Sequence, residues 1–108
     1  MDNRWHTIKC MLGDMETNIH EARAKIHKAY EYRDKCRDMA DWLRDMALQH
    51  INFNTKGADL VKRHMDALKA LPESDPMRNP GKWEAYMERF DDMQPHLAEV
   101  KAMIDSFK

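Results

Sequence analysis

The chain has 108 residues, of which 34 % are charged and 8 % aromatic, with three glycines and four prolines. That composition excludes a disordered chain and suits amphipathic helices within one domain spanning residues 1–108. Eighteen basic against nineteen acidic residues leave a formal charge of -1, so no concentrated positive footprint for nucleic acid is expected.

No apolar run is long enough to cross a bilayer, and the first residues, Met1-Asp2-Asn3-Arg4-Trp5-His6, lack the apolar core of a signal peptide. A cytoplasmic protein without membrane contact is the expectation. Cys10 and Cys36 fall early in two successive helical patterns. In an antiparallel hairpin they would lie about 30 Å apart at 1.5 Å per helical residue, too far for a disulfide. Reduced thiols are expected.

The first helix is predicted to begin near Asp2 or Asn3, either of which can cap it. Its stripe runs Trp5, Ile8, Leu12, Met15, Ile19, Ala22, Ile26, Ala29 in steps of three and four, and fades around Tyr32 to Asp34. A second helix is predicted from Asp34 or Lys35. Its seam reads Met39, Leu43, Met46, His50, Phe53, Gly57, Leu60, His64, Leu68, with Trp42, Ala47, Ile51, Val61 and Met65 widening the apolar face. The stretch Asn52 to Gly57 contains four poor helix formers, at a cost of about 2–3 kcal/mol against alanine. The helical phase nevertheless passes through it, so one helix to about Leu71 is expected, with a break near Asn54 as the alternative.

Three prolines and a glycine between Pro72 and Gly81 mark a loop, after which Asn79 can cap a third helix that has Pro80 in its first turn. That helix carries Trp83, Tyr86, Phe90, Met93, Leu97, Val100, Ile104 and Phe107, with Pro95 inside it as an expected kink. The fold expected is all-α: an antiparallel up-down-up bundle of three long helices, or four if the second breaks near Asn54.

Equal rise per residue then sets approximate heights. Gly13 falls level with Asn54, and Pro95 with Ala58, so both glycines and the proline form an expected waist. At that height Glu16, His20, His50 and Glu99 are candidate ligands, because converging carboxylates and imidazoles hold Fe, Mn or Zn in helical bundles. Trp42 and Met46 ahead of His50, followed by Asn54 and Gly57, resemble a hairpin of the small ferritin-like proteins. The resemblance implies a bundle with a metal site, and the sequence departs from it in having no Glu-x-x-His pair.

No glycine-rich phosphate loop and no Cys-x-x-Cys is present. The reading leans away from an enzyme and expects no cofactor. It favours a module that self-associates or binds a protein partner, with Trp42, Ile51 and Met65 beside the seam as candidate interface residues. The alternative is the ferritin-like metal-binding bundle.

Overall fold

The computed structural model describes residues 4–108. The expected cap at Asp2 or Asn3 lies outside the described residues. Three helices, α1 (Arg4–Tyr32), α2 (Arg37–Lys69) and α3 (Pro80–Asp105), account for most of them, and no strand occurs among them. The helices pack along one another in a body 61 Å long and 24 by 15 Å across, with α1 and α2 forming the closest pair.

α1 stops at Tyr32, where its carbonyl accepts from the Lys35 and Cys36 amides at 3.0 and 2.8 Å. No glycine is needed, because this tight turn satisfies the last carbonyl before Cys36 goes extended. α2 starts at Arg37, two to three residues later than the sequence suggests, since Cys36 supplies its carbonyl to Ala40 but no side-chain cap. It runs unbroken to Lys69 through Asn52–Gly57. Tertiary packing offsets the weak local propensity of that stretch, as it commonly does. At α3, the Asn79 side chain accepts from the Lys82 amide at 3.1 Å and Pro80 occupies the first turn. α3 continues through Pro95, whose exposed ring faces away from the core.

The eight apolar residues read from α1 as its stripe are all buried. On α3, Phe90, Met93, Val100 and Ile104 are buried, as is Phe107 just beyond it, while Trp83, Tyr86 and Leu97 pack against them partly covered. α2 differs from its predicted seam. Its buried face is Ala40, Leu43, Ala47, Ile51, Asn54, Val61, Met65 and Leu68. Only Leu43 and Leu68 belong to the expected stripe; the others lie one residue further on, each about 100° round the helix from its expected neighbour.

Aromatic donors tie the helices together. Trp5 Nε1 donates to the Met77 carbonyl at 2.7 Å, Tyr30 Oη to the Met103 carbonyl at 2.8 Å, and Trp83 Nε1 to the Met65 carbonyl at 3.0 Å. Each ring thereby buries its apolar body while its one polar atom is satisfied, the usual condition for a covered Trp or Tyr.

Candidate interaction surface

Rotation of α2 leaves a second apolar stripe outside. Met39 and Leu60 are each 44 % exposed, Trp42 56 % and Phe53 69 %. Met46, His50 and Gly57 fill the intervals and are half-buried. At 100° per residue these seven positions span an arc of about 80° on one side of the helix. Scattered surface apolar residues are ordinary, whereas several large ones along one side of a helix form the kind of patch that interaction surfaces share.

The interface residues expected from the sequence divide accordingly. Trp42 is on the open stripe. Ile51 and Met65, at 2 % and 1 % exposure, point into the core, so they are packing residues of the bundle and present no surface. Met39, Phe53 and Leu60, expected on the inward seam, are surface residues. Their three-four spacing was visible, but spacing does not say which of two neighbouring stripes faces inward.

α1 borders this surface. A recess of about 290 Å³ is lined by Asn18, Met46, Gln49, His50 and Phe53, and a smaller one of about 70 Å³ lies among Met11, Asp14, Met15, Asn18, Phe53, Asn54 and Gly57. His50 joins the two helices: its Nε2 is 2.8 Å from Lys25 Nζ and its Nδ1 is 3.0 Å from Asn18 Oδ1. An ammonium can only donate, so Nε2 accepts and Nδ1–H donates to the amide oxygen. Burial, and then the Lys25 charge, hold the His50 pKa below its ordinary 6.5 against the opposing pull of Glu21. Asn54, 1 % exposed, donates from Nδ2 to the Met15 carbonyl at 3.3 Å, while its Oδ1 has no hydrogen-bond partner.

The four candidate ligands do not share one recess. Glu16 and His20 line a groove of about 290 Å³ between α1 and α3 with Arg23, Arg89, Asp92 and His96. Glu16 accepts from Arg89 Nε at 3.0 Å and also from Nη2, and this pairing raises the guanidinium pKa. Glu99 lies 3.7 Å from Arg23, which also reaches His96 Nδ1 at 3.1 Å. His50 sits on the other side, against Lys25 and Asn18. Among the described residues no group of three or more His, Cys, Asp or Glu side chains is placed to hold a metal ion. Arginines 23 and 89 were the residues missed; as partners of Glu99 and Glu16 they put cations where the metal reading needed carboxylates to converge.

Register explains the dispersal. Glu16 meets Arg89, Arg23 meets His96 and Tyr30 meets Met103, each 73 residues apart. These contacts recur every seven residues along both helices. By that offset Pro95 stands opposite Ala22 on α1, about 13 Å along the axis from Gly13. The expected waist of Gly13, Gly57 and Pro95 is therefore not formed. Neither Gly13 nor Gly57 is required by close approach: a Cβ at Gly57 would meet Met15 Cγ at 3.6 Å and one at Gly13 would meet Arg89 Nη2 at 3.8 Å, both ordinary contacts.

No described helix is long and apolar enough to cross a membrane. Comparison with protein families, with curated proteins and with solved structures finds no match to this chain.

Proposed function

We propose that this protein is a helical-bundle module that acts by docking the outer stripe of α2 against another protein surface, without catalysis. The observation that carries the proposal is the exposed line Met39, Trp42, Phe53 and Leu60 on one side of a single unbroken helix. Covering a large aromatic side chain is worth about 1.5–3 kcal/mol relative to leaving it in water, so a surface that seats Trp42 and Phe53 gains affinity without any chemistry.

The bundle behind this surface is proposed to take an up-down-up course as one domain. The constant offset of 73 residues between α1 and α3 supports a common direction for those two. Contacts from Met15 to Asn54, and from Asn18 to His50, run in opposite senses along α1 and α2, which supports an antiparallel pair. Free, exposed Cys10 and Cys36 fit a reducing compartment such as the cytoplasm.

A photo-crosslinking amino acid placed at position 42 tests the docking reading in the protein's own cell extract. An adduct is expected with the otherwise native chain and should be lost when Phe53→Glu is added. If no adduct forms, or if it survives Phe53→Glu unchanged, the outer stripe is not a docking surface.

A further inference from the structure

The outer stripe has a symmetry of its own. Its large or open positions, Met39, Trp42, Met46, Phe53, Gly57 and Leu60, are separated by steps of three, four, seven, four and three, the same from either end. Gln49 and His50 straddle its midpoint. Turned end over end, the stripe places Met39 over Leu60, Met46 over Phe53 and Trp42 over Gly57. The largest side chain thus falls opposite the one position without a side chain.

The stripe's flank carries a reversed charge pattern centred one residue further on, between His50 and Ile51. Asp38 and Asp45 lie along the edge turned away from α1 in the first half of α2, and Lys56 and Arg63 along the same edge in the second half. All four are exposed. End-over-end pairing brings Asp38 toward Arg63 and Asp45 toward Lys56 of the other helix. A parallel two-fold pairing would instead put this edge on opposite sides of the pair, where the four charges meet none of their counterparts. Opposite charges along the edge of a helix pair set orientation more than they add stability.

Resting on the docking reading above, we infer that the occupant of the stripe is a second copy of this chain, its α2 antiparallel to the first about a two-fold axis between Gln49 and His50. The contact is isologous, so one patch serves both copies. From Met39 to Leu60 it runs about 32 Å along the helix. The small recess beside Gly57, walled by Met11, Met15 and Phe53, receives the edge of the other copy's Trp42 ring. With a formal charge of -1, little overall repulsion opposes the pairing.

Sedimentation equilibrium over a wide range of concentration tests this. The native chain is expected to dimerise, and Phe53→Glu to weaken the dimer by at least a hundredfold. Helical content by circular dichroism should be unchanged in that variant, since Phe53 is mostly exposed in the single chain. Two charge-reversed chains test orientation without touching the apolar stripe. One carries Asp38→Lys with Asp45→Lys, the other Lys56→Asp with Arg63→Asp. Each alone should dimerise at least tenfold more weakly than the native chain, and the two mixed should recover a mixed dimer.

A native chain that stays monomeric throughout overturns the inference. So does a dimer indifferent to Phe53→Glu, or one that neither charge reversal weakens. If the chain is monomeric while position 42 crosslinks to a different protein, the second copy is refuted and the docking reading stands. If it is monomeric and position 42 crosslinks to nothing, both fall.

Discussion

α1 carries one apolar stripe and α2 carries two, side by side. On α1 the neighbours of the buried line Trp5 to Ala29 are mostly charged or polar, so only one rotation of the helix hides the apolar surface. On α2 the inner stripe includes Ala40, Ala47 and Asn54, while the outer one holds Trp42, Met46 and Phe53. The bulkier stripe is outside. Helices close on one another where side chains are small and shapes interlock, and Ala40 and Ala47 of the inner stripe are fully buried. Volume alone does not select the buried face.

Truncating one residue from a buried stripe and one from the outer stripe separates the two faces most widely. Leu12→Ala removes a fully buried side chain between helices and should cost about 2–5 kcal/mol in denaturant unfolding. Phe53→Ala, measured at a concentration where the chain is monomeric, should cost less than about 0.5 kcal/mol, the range of ordinary surface substitutions. Comparable losses at the two positions would mean that the outer stripe is a second core face and would remove the basis for docking.

A smaller effect sharpens the boundary between the stripes. Gly57 lies where they meet, in helical backbone and with room for a methyl group beside Met15. Gly57→Ala should raise the stability of the single chain by about 0.5–1 kcal/mol through lower unfolded-state entropy. If Trp42 of a second copy uses that position, the same change should weaken association. Thermal melting and sedimentation on one sample read the two effects separately.

The smallest effect concerns His50, the polar member of the outer stripe, which faces Lys25, Asn18 and Glu21 of α1. Its folded pKa lies below the ordinary 6.5, so as pH falls the unfolded chain binds the proton first. The contribution to stability is complete above about pH 6.5 and drains away as pH drops below it through the folded value. Urea unfolding of the native chain against His50→Gln should show a decline between pH 7 and pH 5 that is shallower in the variant. Equal slopes would assign the pH dependence to other groups.

Much of the fold is legible in the residues. The α1 and α3 stripes, the proline-rich connection and the Asn79–Pro80 start of α3 follow from spacing and local backbone chemistry. The misreadings have one origin in α2 and another in register. Met39, Phe53 and Leu60 fit a three-four seam as well as Ala47, Ile51 and Met65 do. Pro95 and Glu99 stand more than a turn from their expected heights, because α1 and α3 keep a contact offset of 73 residues that the lengths of the connections do not reveal.

That three stretches are helical, and which side of α1 and of α3 is apolar, follows from the residues of each helix taken alone, because periodicity is a property of a single helix. Tertiary structure decided which α2 stripe is buried, since that depends on how closely α1 and α3 can approach it. It also decided that Arg89 meets Glu16 and Arg23 meets His96 and Glu99. Those pairings arise from an axial offset between helices, which Trp5, Tyr30 and Trp83 anchor through the carbonyls of Met77, Met103 and Met65.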